Sequence, residues 1–275
     1  MMKQISINDP MTRSGALIIA AGPAGGMGKS LSADLAAAHL MSSGISVSMI
    51  RMEAAVRRPE FVSDAFISVD DVATAETTVG GVSALFEQGW GIIETQIASG
   101  GVAILDAGAN SHSAILRMAS ETGLSALVEA RGGRTIVLML VTRDADGIRQ
   151  AVDLAADFCA QMPEADLILV LNERLGAFVV DQTPEGRAYS ELLVPLLQKH
   201  KHVVMPFVGA KALNAFSGCS MLQVLSATDD ELQAWSGHGL MVARSCQGRM
   251  ANFFMRVGSQ LDRVLPFPDD ANSHP

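Results

Sequence analysis

The sequence predicts an α/β fold with a doubly wound, mostly parallel sheet, and three observations predict it. Short apolar runs alternate with longer helix-like stretches, the pattern of βαβ units. The runs are almost free of polar residues, as strands covered by helices on both faces must be. Glycines stand at Gly44, Gly100-Gly101 and Gly132-Gly133, where a helix hands over to the next strand and a left-handed cap is useful.

Taken in order, strands are expected at 16–21, 47–51, 102–106, 135–141, 167–171 and 203–205, with helices at 29–43, 82–99, 113–129, 146–162 and 189–200. Residues 1–14 read as a polar tail, 15–265 as one domain, and 266–275, without periodicity, as a disordered tail. The stretch 51–78 carries Arg57-Arg58-Pro59 and Asp70-Asp71 but no sustained period. In 241–265 apolar residues recur from Val242 through Cys246, Met250, Phe253, Phe254, Val257, Leu261 and Val264, with Arg244, Arg249, Arg256 and Arg263 between them. This basic amphipathic helix has three readings: a docked core helix, a partner or dimer surface, or a membrane- or nucleic-acid-binding helix.

Composition narrows the function. With 49% hydrophobic and 18% charged residues over 275 positions, the chain can bury a substantial core. A net charge of −9 argues against bulk nucleic-acid binding. Cys159, Cys219 and Cys246 form no C-x-x-C pair and are expected to be free, buried thiols of a reducing compartment. No signal peptide and no apolar run of spanning length is visible, so a cytoplasmic location is expected.

The chemistry concentrates on one turn. The first apolar run leads into Gly22-Pro23-Ala24-Gly25-Gly26-Met27-Gly28-Lys29-Ser30, and Lys29-Ser30 opens an Ala/Leu-rich helix. Strand, glycine-rich turn and helix N-terminus form a P-loop, in which backbone N–H groups wrap phosphates. Gly25, Gly26, Met27, Gly28, Lys29, Ser30 and Leu31 are the expected nucleotide contacts. Lys29 would reach the β- and γ-phosphates of ATP, and the Ser30 hydroxyl would hold Mg²⁺. Pro23 stands where the strict G-x-x-x-x-G-K-[ST] pattern has its first glycine, removing one N–H donor.

Elsewhere, 102–106 ends in Asp106, followed by Ala107-Gly108-Ala109-Asn110. A carboxylate at that strand end would join the Mg²⁺ shell, and the turn would sense the γ-phosphate. Asp144 and Asp146 are explained by helix capping. Arg143 lies at a strand end, on the sheet edge where ligands bind.

Gly25-Gly26-Met27-Gly28-Lys29-Ser30 resembles the deviant Walker A box of the ParA/MinD family, K-G-G-x-G-K-[ST]. The resemblance implies an ATP-dependent dimer on a doubly wound α/β fold. The family's first lysine, which reaches the partner's nucleotide, corresponds to Ala24 here, so ATP hydrolysis is expected to be slow or absent. Arg51 or Arg143 is a candidate to supply the missing charge. The family's Asp-x-Asp pair after the second strand corresponds to Arg51-Met52-Glu53, leaving Glu53 as the catalytic carboxylate beside Lys29 and Asp106. Asn172, in Val170-Leu171-Asn172-Glu173, resembles the family's adenine-reading asparagine, and Pro206, in Met205-Pro206-Phe207, its base-flanking segment. The motif order, with the 241–265 helix, is similar to TraL/StbC-type proteins of conjugative plasmids. That implies a switch protein in plasmid transfer or maintenance, with a nucleotide-dependent homodimer and an unidentified protein partner. A non-hydrolysing regulatory or scaffold module, and a small-molecule kinase or synthetase, are the alternative readings.

Overall fold

A computed structural model describes residues 14–53, 65–68, 84, 86–108, 111–265 and 267. Most of the segment 51–78, the tail 1–13 and all of 266–275 but Phe267 lie outside these residues. Seven strands form one sheet: β1 (Ala16–Ala21), β2 (Val47–Glu53), β3 (Ala65–Ser68), β4 (Val102–Ala107), β5 (Arg134–Thr142), β6 (Asp166–Asn172) and β7 (Lys201–Met205). Their order is β3-β2-β4-β1-β5-β6-β7, and every pair is parallel.

Side-chain alternation divides the core between two faces. Ile18, Ile104, Ile136, Leu138 and Val170 join one cluster; Leu17, Leu105, Val137, Met139 and Leu169 join the other. The central strands therefore need apolar residues at nearly every position, which is why the runs read so clearly. The first face is covered by α1 (Lys29–Ser42) and by the C-terminal helices α8 (Ala210–Ala215), α9 (Met221–Ser226), α10 (Asp229–Ser236) and α11 (Leu240–Val264). The second is covered by α2 (Glu87–Ser99), α3 (His112–Thr122), α4 (Leu124–Ala130), α5 (Ala145–Gln161), and the segment of α6 (Pro184–Ala188), a π-helical turn (Tyr189–Leu193) and α7 (Val194–Leu197).

Two boundaries differ from expectation for local reasons. The helix expected over 113–129 breaks at Gly123, whose φ of 64° ends one helix and begins the next. The helix expected over 189–200 begins earlier, at Pro184, where the Thr183 side chain accepts from the Gly186 N–H. Asp144 caps α5 as expected, accepting from the Gly147 N–H at 2.6 Å. Cys246 is buried, but Cys219 is half-buried and Cys159 exposed, so burial of all three is not observed. Phe267, within the tail expected to be disordered, packs against the first core cluster.

The docked reading of the C-terminal helix is the one realised. Ala243, Cys246, Met250, Phe253, Val257, Leu261 and Val264 recur every three or four residues and are buried, while the four arginines face outward. Val242 belongs to the outward side, and Ala243 takes its place in the core. Gln260 bridges the backbone of edge strand β7, accepting from the Val204 N–H at 2.8 Å and donating to its carbonyl at 2.9 Å. That contact occupies groups an edge strand would otherwise offer to another chain. Among the described residues no helix is long and apolar enough to cross a membrane.

If α11 is core, Phe253→Ala will lower the unfolding free energy by about 3–5 kcal/mol. Arg256→Ala, on the outward side, will change it by no more than about 0.5 kcal/mol. Urea denaturation of both variants measures the contrast, and comparable losses would contradict the docked assignment.

Candidate functional site

All seven strands run the same way, so their C-terminal ends gather along one sheet edge. At its centre β1 enters the turn at residues 22–28. Gly26 and Gly28 adopt φ of 70° and 97°, a left-handed backbone that suits glycine. Gly28 is required twice over: a Cβ there would lie 2.7 Å from Asn172 Nδ2 and 3.1 Å from Met205 Cε.

The turn delivers the chain into α1 with its first-turn N–H groups directed back at the loop. No acidic residue and no side-chain cap compensates them. A 14-residue helix that begins this way presents free donors and a positive dipole end to an anion. Ser30 and Leu31 belong to this first turn, both partly exposed, whereas Gly25 and Gly26 are open to solvent.

Lys29 is buried, and its ammonium donates to the Ala24 carbonyl across the turn at 2.6 Å. Burial lowers its pKa, and the nearby Asp106 carboxylate partly opposes the shift. An ammonium held in this way by a neutral carbonyl gains from an anionic oxygen, and the Ala24 carbonyl marks where one would be received. The Ala24 N–H is turned onto the Met27 sulfur, at 3.2 Å.

Asp106 ends the apolar part of β4 and is fully buried. It lies in register between Ala20 of β1 and Arg51 of β2. Arg51 spans two carboxylates, with Nη1 at 2.8 Å from Asp106 Oδ2 and Nη2 at 2.9 Å from Asp34 Oδ1 on α1. Stranding a member of such a set costs about 3–5 kcal/mol. Arg51 takes one of the two Asp106 oxygens, Oδ2, so Asp106 would join a Mg²⁺ shell with Ser30 through water or through Oδ1.

The same pairing removes Arg51 as a replacement for the lysine missing at Ala24. Arg143 is also engaged, 3.2 Å from Asp181. Arg174, which the sequence did not single out, instead donates from Nη1 to the Gly26 carbonyl. Its position two residues after the β6 strand end was the available signal.

Asn172 is expected at the adenine edge, yet its amide lies beneath the loop. Nδ2 donates to the Met27 carbonyl at 2.7 Å, and Oδ1 accepts from the Arg174 N–H at 3.0 Å. Only a residue without Cβ at position 28 allows this approach. Pro206 follows β7 on the same edge and is partly exposed. Glu53 ends β2, one residue beyond the Met52 and Ala107 pair; its side chain lies outside the described residues, as do Ala109 and Asn110.

His112, at the start of α3, is the other residue that sequence reasoning missed. Burial and the Lys29 charge lower its pKa, against the pull of Asp157. Its place just past the turn after β4 brings it within electrostatic reach of the loop lysine.

No protein-family model and no curated protein matches the chain. Among solved structures, the MinD cell division protein of Aquifex aeolicus is 13% identical with a TM-score of 0.44, covering 87% of this chain and 96% of that one. The MinC:MinD cell division protein complex of the same organism gives 15% and 0.44, covering 85% and 96%. A ParA family ATPase from Chlorobium tepidum TLS gives 12% and 0.39, covering 88% and 98%.

The His112 imidazole should titrate below the ordinary histidine value, and Lys29→Ala should raise its midpoint by removing a repelling charge. NMR of the ring across acidic to neutral pH measures both. An unchanged midpoint in Lys29→Ala would contradict the proximity of the two groups.

Proposed function

We propose that this chain is a ParA/MinD-like nucleotide-binding switch, receiving the triphosphate of ATP on residues 22–31. The observation that carries the reading is the buried Lys29 ammonium, held at the uncapped start of α1 beneath a turn with two left-handed glycines. Lys29 binds the β- and γ-phosphates, the N–H groups of Gly25 to Leu31 wrap them, and the Ser30 hydroxyl and, through water, Asp106 would hold Mg²⁺. Asn172 supports the phosphates through Met27, and Pro206 flanks the base. Glu53 is the candidate for orienting a water.

Hydrolysis is slow or absent. Ala24 supplies no cation, and Arg51 and Arg143 are committed to carboxylates. Energy for the switch then comes from differential binding of ATP and ADP and from an ATP-dependent homodimer. The motif order motivates a role in plasmid conjugal transfer or maintenance, through a protein partner of that machinery. The Arg51 and Asp106 pair also favours a second reading, a regulatory or scaffold module that never hydrolyses its nucleotide.

Sedimentation of wild type and Lys29→Ala with ATP, ADP or no nucleotide, with phosphate release measured alongside, separates these readings. The switch predicts a dimer with ATP only, lost in Lys29→Ala, and little phosphate released. Equal behaviour with ATP and ADP favours the scaffold, and rapid turnover by the isolated protein contradicts both.

A further inference from the structure

We propose that Arg174 is a nucleotide-binding residue, supplying positive charge to the open side of the phosphate turn, where position 24 offers only alanine. The proposal rests on the nucleotide reading of residues 22–31 and adds to it one charged group and its task, which is affinity.

The end of β6 is tied to the turn at two consecutive carbonyls. Asn172 Nδ2 donates to the Met27 carbonyl at 2.7 Å, and Arg174 Nη1 donates to the Gly26 carbonyl. Asn172 also positions its neighbour, because its Oδ1 accepts from the Arg174 N–H at 3.0 Å and so caps the short 3-10 turn Glu173–Leu175. The guanidinium is therefore placed against the glycines by a strand end, a cap and the loop itself. Even a Cβ added at Gly26 would lie only 3.7 Å from Arg174 Nη1.

Charge distinguishes Arg174 from the other arginines of this sheet edge. Arg51 is bonded to Asp34 and Asp106, and Arg143 to Asp181. Arg174 donates to a neutral main-chain carbonyl and a neutral amide oxygen, and among the described residues no carboxylate pairs with it. A carbonyl occupies one arm of the planar fork and leaves its permanent positive charge and its remaining N–H groups for an anion. Phosphate oxygens suit that fork in charge and geometry.

Access favours the same assignment. Ala24, Gly25, Gly26 and Arg174 are all exposed, so the guanidinium and the glycine stretch share one open side of the turn. Lys29, by contrast, is buried and reaches the Ala24 carbonyl from within the turn. A triphosphate received by the turn then meets one cation from inside the fold and a second from the solvent side.

The test is calorimetric titration of full-length wild type, Arg174→Gln and Arg174→Lys with ATP in excess Mg²⁺, at low and at high NaCl. Gln keeps an amide donor and removes the charge, whereas Lys keeps the charge. Because Arg174 is exposed, both variants are expected to fold. At low salt Arg174→Gln should bind at least about threefold more weakly than wild type, and Arg174→Lys should stay within about twofold of it. The gap between Gln and wild type should narrow as NaCl rises, since an exposed charge is screened. A smaller loss in Arg174→Gln, a Lys variant as weak as Gln, or a gap that salt does not change would overturn the proposal while leaving the nucleotide site intact. Absence of ATP binding by the wild type would overturn the nucleotide reading itself, and this proposal with it.

Discussion

The bridge from Arg51 to Asp34 and Asp106 is the interaction on which the rest of the site depends. It ties α1, β2 and β4 together beside the loop, at residues 17 and 55 positions apart in the chain. Buried charges of this kind contribute little net stability, because desolvation offsets most of the attraction. Their effect is on specificity: the set holds together only when β2 and β4 are in the observed register and α1 lies over both. It also fixes the orientation of the Asp106 carboxylate, which acts electrostatically on Lys29.

Around that set the loop is held from below and lightly covered from above. Asn172 fastens Met27, the missing side chain of Gly28 makes room for the amide, and Lys29 reaches the Ala24 carbonyl. Gly25 and Gly26, by contrast, are exposed. Burial penalises the Lys29 ammonium and lowers its pKa, and the Asp106 carboxylate opposes the shift. An incoming phosphate relieves that penalty, which couples binding chemistry directly to the packing of the loop. Preorganisation of this type lowers the ordering cost of binding.

The strands were legible because burial on both faces leaves few polar positions to confuse the reading; six of them fall within two residues of expectation. β3 was not, since Ala65–Ser68 is four residues long and sits in a stretch rich in charge and without sustained period. The short helices between β7 and α11 were overlooked although their capping boxes are written in the sequence, Ser220 with Gln223 and Thr228 with Glu231. In the site, the glycine turn was readable because its function demands backbone conformations few residues adopt. The partners of Arg51, Asn172 and His112 were not, because each is set by strand register and helix placement over long sequence separations. The position of Arg51 was noticed, but nothing local shows that its charge is spent on Asp106.

A crystal structure of the chain grown with ATP and Mg²⁺ tests the central claim most directly. The account predicts phosphate oxygens at Lys29 Nζ and at the first-turn N–H groups of α1, with the Arg51 guanidinium still on Asp106 Oδ2. A nucleotide bound elsewhere, or one whose phosphates do not reach Lys29, would contradict it.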